Sequence, residues 1–187
     1  MRLREDEELD DAVEKRDYGT WLHAVLHEFH VGRGVPGPAA AERARLQAIG
    51  ERLQREHGLS DEAFLPFAAS FETFATRYVD WLHERDAAGD AWQAGEQAHL
   101  VTLPPPADIG LQGVIDRIDS VEGGAAIELI DYKTGSAEAL RRKQREPFED
   151  TQLAFYAALV AQGTQRPVRA MYLALDDGRG LIELVHP

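Results

Sequence analysis

The chain has 187 residues, 44% hydrophobic and 28% charged, which is the length and composition of a globular domain and not of a disordered chain or a fibre. Its net charge of −13 and its lack of cysteine exclude a basic free-standing nucleic-acid binder, a disulfide framework and a cysteine-bound iron–sulfur cluster. No stretch approaches the roughly 18 consecutive apolar residues of a membrane span, and the first residues contain no apolar signal-peptide core. We therefore expect a cytoplasmic protein with no membrane contact.

The first half of the chain has the spacing of amphipathic helices. Apolar residues recur at every third or fourth position over 18–30, and the acidic run Glu5–Asp11 before them is expected to be a solvated helix start or tail. Glycines and prolines over 32–38 break this helix, and a second helix fits 39–57. Ser60 is the expected N-cap of a third helix, which should run to about residue 85. That helix should bury most of its aromatic side chains, which are Phe64, Phe67, Phe71, Phe74, Tyr78 and Trp81.

The second half has the spacing of β-strands, followed by a helix and two more strands. The first three strands are predicted over 97–103, 111–120 and 125–133, separated by Pro104–Pro106 and by Gly123–Gly124. Since a glycine pair suits a tight turn, the second and third strands should be antiparallel neighbours. The helix is predicted over 151–161, and the last strands over 168–175 and 181–185, around a turn at Asp176–Gly180. This order predicts an α/β domain with a helical N-terminal elaboration.

The second predicted strand contains the sequence GVIDRID, whose first aspartate is Asp116. Because alternate residues of a strand share a face, Asp116 is expected in one row with Val114 and Ile118. A carboxylate in an apolar row is costly to bury unless a cation or a metal compensates its charge. The alternative interpretation is that Asp116 forms an ordinary ion pair with Arg117 or Lys133.

The third predicted strand ends in the sequence DYKTG, which begins at Asp131. Asp131 and Lys133 share a strand face with Ile127 and Leu129, so charges again extend an apolar row. Two adjacent strands are thus expected to bring two carboxylates and one ammonium towards a common point. Hard oxygen ligands suit Mg²⁺ or Mn²⁺, and the ammonium can polarise a water or hold a phosphate oxygen.

These sequences resemble the RecB-like branch of the PD-(D/E)XK nuclease superfamily, which includes the AddA and AddB recombination nucleases. In that branch a G-x-x-D-R-x-D strand precedes a strand that ends in D-Y-K-T-G, and both patterns are present here without change. A third element, Q-x-x-x-Y, matches Gln152 to Tyr156, and a fourth, G-T-x-x-H, matches Gly19 to His23. Gln152 and Tyr156 have the i, i+4 spacing that places two residues on one face of a helix.

The resemblance implies a RecB/AddB-like fold and active site. The fold would be a restriction-endonuclease-like αβββαβ core with a central mixed sheet, in a single domain over 1–187 that is mainly helical over 1–90 and carries the sheet and the site over 91–187. Catalytic roles are implied for Asp116, Asp131, Lys133, Gln152 and Tyr156, and metal-binding roles for His23, Asp116, Asp131 and the Tyr132 carbonyl. The implied cofactor is Mg²⁺ or Mn²⁺, and the iron–sulfur cluster of some relatives is excluded because cysteine is absent.

The resemblance further implies a metal-dependent deoxyribonuclease, expected to be an exonuclease of DNA repair or recombination. Its partner would be a helicase-like region in cis or a helicase subunit in trans, because this domain commonly ends a longer helicase-like protein. One interpretation of the chain is an excised C-terminal domain of such a protein. Lys133 would help to orient or deprotonate the attacking water. One basic cluster is expected to contact DNA, with a solvated helix face as its alternative, and it consists of Arg141, Arg142, Lys143 and Arg145.

Three other interpretations stay open. A non-catalytic DNA-end-binding or scaffold module could keep the fold, although an intact set of two acids and a lysine argues against decay. A phosphate-handling or other metal-binding protein unrelated to DNA is the next alternative. His27 and His30 follow His23 on the same helix face, so a histidine metal site on that helix competes with the family role of His23. We expect His27 and His30 to be packed or solvated instead.

Overall fold

The computed structural model describes residues 2–102, 109–145, 151–177 and 180–186. The helices are α1 (Arg2–Val31), α2 (Ala39–Glu56), α3 (Asp61–Ala88), α4 (Ala137–Gln144) and α5 (Gln152–Ala161). The strands are β1 (Ala91–Thr102), β2 (Gly110–Val121), β3 (Ala126–Lys133), β4 (Val168–Asp177) and β5 (Gly180–Val185). The chain divides into two compact units, Met1–Val79 and Asp80–Pro187, with the boundary inside α3. In the described part of the chain, no helix is both long enough and apolar enough to cross a membrane.

An aromatic core holds the helices of the first unit together. The ring of Trp21 on α1 lies edge-on to the rings of Phe64 and Phe71 on α3, with centroids 4.6 and 4.8 Å apart. Such edge-to-face pairs add to the stabilisation that burial of the rings provides. His30, near the end of α1, is buried, and its Nε2 lies 2.7 Å from the hydroxyl of Tyr78. His30 is therefore packed and hydrogen-bonded, as expected.

Two helices, α2 and α3, begin close to the residues that the sequence indicates. α1 is longer than the predicted helix because it also includes Glu5–Asp11, whose side chains lie outside the described residues. α3 begins directly after Ser60, whose carbonyl accepts the Phe64 N–H at 2.9 Å. Most of the aromatic side chains predicted to be buried on α3 are buried, whereas Phe67 and Trp81 are half-buried.

The second unit is built on a five-stranded mixed sheet in the order β1-β2-β3-β4-β5. All neighbouring strands are antiparallel except β3 and β4, which are parallel. The parallel pair is possible because α4 and α5 lie between these strands in the chain, and a parallel connection needs such a crossover. Gly123 and Gly124 connect β2 to β3 with φ angles of +65° and +96°, so the predicted glycine hairpin is present. The predicted α/β fold with a mixed sheet and a helical N-terminal region is confirmed.

α4 is a helix that the sequence analysis did not place. Its N-cap is Ser136, whose Oγ accepts the Ala139 N–H at 3.3 Å. The helix has only 8 residues and a largely polar sequence, so it lacks an apolar periodicity long enough to recognise. Two of the predicted breaks between strands lie outside the described residues. They are Pro104–Pro106 and the middle of the Asp176–Gly180 turn.

One face of the sheet forms an apolar core with α4 and α5. Ile127 and Leu129 of β3 belong to this core, as the alternation of β3 predicts. The prediction for β2 is wrong, because Val114 is 43% exposed while Ile115 lies in the same core cluster as Ile118. Two residues three positions apart cannot share a face of a regular strand, so β2 is irregular between them.

The opposite face of the sheet carries a buried network of charges. The Arg117 guanidinium donates to both carboxylate oxygens of Asp119 at 2.7 Å, and Arg85 of α3 contacts Asp119 and Glu128 at 3.1 and 2.6 Å. Both guanidinium groups lie over the Trp81 ring, about 5 Å from its centroid. Burial raises the pKa of the Glu128 carboxyl above its ordinary value, against the opposing effect of the charge and hydrogen bond of Arg85.

Candidate active site

β2 and β3 stop pairing where their acidic residues lie. The antiparallel register between them ends at the pair Arg117–Ile130, and the next residue of each strand is Asp116 or Asp131. Beyond this point β2 continues beside β1, and β3 continues beside β4. The two carboxylates therefore stand at a fork in the sheet, where backbone groups no longer fill the space between the strands.

Asp116 binds the backbone of the neighbouring strand at this fork. Its Oδ2 accepts the Tyr132 N–H at 2.7 Å. In a regular sheet, a backbone carbonyl of β2 would accept this N–H. This hydrogen bond satisfies a main-chain donor that has lost its strand partner, and it fixes the carboxylate next to the backbone of Asp131. Tyr132 itself is buried on β3.

Asp131 is the centre of a chain of polar contacts. Its side chain is only 4% exposed, and it forms an ion pair with Lys133, whose side chain is 29% exposed. The amide nitrogen Nε2 of Gln152 donates to Oδ1 of Asp131 at 3.0 Å and lies 3.0 Å from the hydroxyl of Tyr156. The ammonium of Lys133 also lies 5.3 Å from the centroid of the Tyr172 ring on β4. The buried charge of Asp131 is thus compensated from two sides.

Gly113 makes room for the Tyr156 ring. A Cβ atom at position 113 would lie 2.8 Å from Cε1 of Tyr156 and 3.2 Å from Cδ1 of Leu159, which is closer than side-chain carbons normally approach. Only glycine leaves this space at the point where α5 crosses β2. The glycine of the GVIDRID sequence therefore has a packing role beside its aspartate.

Glu96 is a residue near this site that the sequence analysis missed. It has a φ of +49°, which is rare outside glycine, and its neighbours Gly95 and Gln97 pair with Arg117 and Ile115. Glu96 therefore lies opposite Asp116, and a carboxylate oxygen of each lies within 4.8 Å of the other. Glutamate is common in this acidic chain, so its spacing gives no signal; only the register of β1 against β2 could have identified it.

The other predicted site residues lie on separate elements. His23 is half-buried on α1 in the first unit, and its role as a metal ligand stays a prediction. The basic cluster is exposed on α4 and at its C-cap, and it consists of Arg141, Arg142, Lys143 and Arg145. The structure brings together the remaining residues predicted to be catalytic, Asp116, Asp131, Lys133, Gln152 and Tyr156. Their roles in catalysis stay predictions.

The donor set at the fork fits a hard divalent cation. Carboxylate and carbonyl oxygens are the ligands that Mg²⁺ and Mn²⁺ prefer, and the chain contains no cysteine. Two carboxylates as close as those of Asp116 and Glu96 repel each other, and a cation between them would relieve this repulsion. Asp116, Asp131 and the Tyr132 carbonyl are therefore suitable metal ligands, and Glu96 can be added to them.

Comparison with known protein families agrees with this geometry. The family model of the PD-(D/E)XK nuclease superfamily matches residues 1–184, so the chain belongs to that superfamily. Membership indicates nuclease activity on DNA with a divalent metal. A comparison with curated proteins found no matching sequence.

Proposed function

We propose that the chain is a RecB/AddB-like, metal-dependent nuclease that hydrolyses phosphodiester bonds of DNA, as an exonuclease of repair or recombination. The observation that carries this proposal is the connected set of Asp131, Lys133, Gln152 and Tyr156 beside Asp116 at the fork of the sheet. A buried carboxylate such as that of Asp131 would more simply be replaced by an apolar residue if it had no chemical role, because burying its charge costs solvation. The set also matches the order of motifs in the RecB-like branch.

Asp116 and Asp131, with the Tyr132 carbonyl and Glu96, would hold Mg²⁺ or Mn²⁺. Such an ion, when bound, lowers the pKa of a water and neutralises charge on the phosphate. The assignment of His23 as a further ligand rests on the G-T-x-x-H motif.

The protein groups around the metal ligands have distinct proposed roles. Lys133, partly exposed beside Asp131, donates hydrogen bonds that orient the attacking water and stabilise charge on the phosphate oxygens. Gln152 holds Oδ1 of Asp131 in place, and Tyr156 holds the Gln152 amide. The last two residues thus keep one carboxylate in the orientation that metal binding requires.

DNA must reach this site against a net charge of −13. We propose that the exposed basic cluster on α4 attracts the strand, since α4 lies between β3 and α5 in the chain, and both elements carry site residues. We also propose that a helicase-like region in cis or a helicase subunit in trans supplies further DNA affinity, in the cytoplasm.

Substitution of Lys133 by alanine tests the proposed mechanism. Lys133→Ala should lower the rate of cleavage of end-labelled DNA by roughly 10²- to 10⁴-fold, the usual contribution of such a group. Calorimetry should show that Mn²⁺ still binds, because an ammonium does not ligate a cation. Arg169→Ala removes one positive charge from an exposed ion pair with Glu122 in the same unit and serves as the matched control.

The outcomes separate the competing functions. Wild-type cleavage by Lys133→Ala would reject the PD-(D/E)XK mechanism for this chain. A wild-type protein that binds DNA ends but does not cleave them with Mg²⁺ or Mn²⁺ would favour the non-catalytic scaffold. Release of labelled mononucleotides from a DNA end is the result expected of an exonuclease.

A further inference from the structure

A cleft in the second unit lies at the opposite end of α5 from Gln152 and the proposed active site. Its volume is about 430 Å³, within the roughly 300–1,000 Å³ range of small-ligand pockets. Leu159, which lines the cleft, approaches Gly113 from the same helix as Tyr156, one turn further along α5. His99, which also lines it, is the β1 partner of Gly113. The cleft therefore borders the part of α5 that follows Tyr156 in the chain.

The lining of the cleft has an apolar part and a polar part. Leu100 provides exposed aliphatic surface beside the buried side chains of Ile127 and Leu159. Thr164 and Arg166 belong to the polar segment between α5 and β4. An aliphatic surface can cover the face of a base, while a guanidinium can bind a phosphate through two parallel hydrogen bonds. This combination fits a nucleotide better than it fits an apolar ligand or a simple anion.

The charge of the cleft is opposite to that of the chain as a whole. Among its described lining residues, Arg166 is cationic and none is Asp or Glu, although the chain contains 33 acidic residues. Arg166 is held in place by Ser120 Oγ and the Gly124 carbonyl, which accept from Nη1 at 3.3 and 3.4 Å, and Nη2 lies 3.5 Å from Gln93 Oε1. All of these partners are neutral, so they orient the guanidinium without neutralising it.

His99 supplies a second polar group that lacks a protein partner. In the described part of the chain, its Nε2 is buried and accepts or donates no hydrogen bond. Buried polar atoms are nearly always satisfied, by protein, water or a ligand. An unpaired imidazole nitrogen and an uncompensated guanidinium thus line one cleft.

We propose that this cleft binds one nucleoside monophosphate unit of the substrate strand, with the base on the aliphatic surface and the phosphate at Arg166. The inference rests on the proposed nuclease function, since it assigns the cleft to a nucleotide of the strand that the active site cleaves, at a distance from the cleavage site. The same unit could be held as part of a strand or as the released mononucleotide, and the two are chemically equivalent at this cleft.

The probe is 2′-deoxyadenosine 5′-monophosphate, added in chelator to the whole chain and followed by NMR. We expect shifts in the backbone amides of residues 162–166, and weaker shifts with inorganic phosphate or with deoxyadenosine. Arg166→Gln should weaken binding by roughly tenfold or more, as the loss of a charge-assisted hydrogen bond does. Arg169→Gln is the matched control, because Arg169 has an exposed ion pair with Glu122 and should change binding less than about twofold.

A second variant is needed because Arg166→Gln also removes the hydrogen bonds of Arg166 to its neighbours. Gly163 lines the cleft, and a Cβ there would meet no atom closer than 3.7 Å, so Gly163→Phe can fill the cleft without backbone strain. It should abolish nucleotide binding while Mn²⁺ binding persists. Three results would each overturn the proposal: equal binding by Arg166→Gln and Arg169→Gln, shifts confined to residues that do not line the cleft, or phosphate binding as tight as that of the nucleotide.

Cleavage assays separate this proposal from the proposed function. With a single-stranded oligonucleotide, Arg166→Gln should raise KM more than it lowers kcat, and the free mononucleotide should inhibit the wild type more than the variant. Cleavage without nucleotide binding in the cleft would reject the cleft assignment and keep the nuclease. Nucleotide binding at residues 162–166 in a protein that cleaves no DNA would reject the nuclease and keep the binding site.

Discussion

Gly113→Ala should disturb the active site without replacing any of the residues predicted to be catalytic. A methyl group at this position would lie 2.8 and 3.1 Å from two carbons of the Tyr156 ring and 3.2 Å from Leu159. To reach an ordinary contact distance, the ring must move by about 0.6 Å or more. The hydrogen bond of 3.0 Å between Tyr156 and Gln152 would then lengthen or bend, and Gln152 would hold Asp131 less firmly.

Both stability and activity should fall in this variant. Overpacking of this size costs about 1–3 kcal/mol, and the half-buried Tyr156 ring can yield outward, so we expect the lower part of that range. For a chain of this length, the melting temperature should fall by roughly 2–4 °C for each kcal/mol. Cleavage should slow by roughly 10- to 100-fold, because a misplacement of less than 1 Å is enough to weaken a positioned site.

Gly110→Ala on the same strand is the matched control. The nearest atom to a Cβ at position 110 is Cδ1 of Leu100 at 3.9 Å, so the added methyl meets no overlap. Both substitutions reduce the flexibility of the unfolded chain equally, and their difference therefore isolates the contact with Tyr156. If Gly113→Ala melts and cleaves like Gly110→Ala, the packing role of Gly113 is refuted. If the effect acts through the Tyr156 hydroxyl, Gly113→Ala should add little loss of activity to Tyr156→Phe.

Three other predictions concern charge. Mg²⁺ or Mn²⁺ should raise the melting temperature of the wild type, and at a 100-fold excess over Kd the free energy of unfolding should rise by about 2.7 kcal/mol. The rise should be smaller for Asp116→Ala, Asp131→Ala or Glu96→Gln. Equal shifts in thermal melts would reject the metal site. The pKa of the Glu128 carboxyl is higher in the folded state than in the unfolded state. The stability that this carboxyl contributes is therefore fully present below its unfolded-state pKa and is lost as the pH rises through its folded-state pKa. Glu128→Gln should therefore gain stability relative to the wild type between pH 4 and pH 7 in denaturant titrations, and a constant difference would contradict this sign. Neutralising the basic cluster on α4 should weaken DNA binding and flatten its already shallow salt dependence while metal binding persists, and an unchanged salt slope would leave the cluster as a solvated helix face.

Local patterns were sufficient to predict much of the fold. The Gly123–Gly124 pair predicted the hairpin, because only a turn that accepts positive φ joins two antiparallel strands so tightly. The alternation of β3 predicted that Ile127 and Leu129 face the core, with Asp131 in the same row. The i, i+4 spacing of the Q-x-x-x-Y motif likewise predicted that its two side chains meet on one face of α5.

The fork and its surroundings depend on contacts that no local pattern contains. The irregularity of β2 moves Ile115 into the core with Ile118, so a strict alternation assigns Asp116 to the wrong row. Glu96 comes close to Asp116 through the register of two strands, which hydrophobicity does not specify at an edge strand that is largely exposed. α4 was missed because a short polar helix is defined by its cap and not by an apolar stripe.

The charges that pair inside the buried network do not account for the negative net charge of the protein. Arg85 and Arg117 lie within the network with Asp90, Asp119 and Glu128, so two cations and three carboxylates are withdrawn from the surface. Most of the net charge of −13 therefore remains outside the network. Those two arginines are also unable to contact DNA, which leaves fewer cations for the phosphates. On the proposed function, we expect the affinity of this unit for DNA to depend on the α4 cluster, the Arg166 cleft and a divalent ion at the fork. A nuclease arranged in this way should hold its substrate firmly only when the metal is bound, because the metal both neutralises the carboxylates and binds the phosphate.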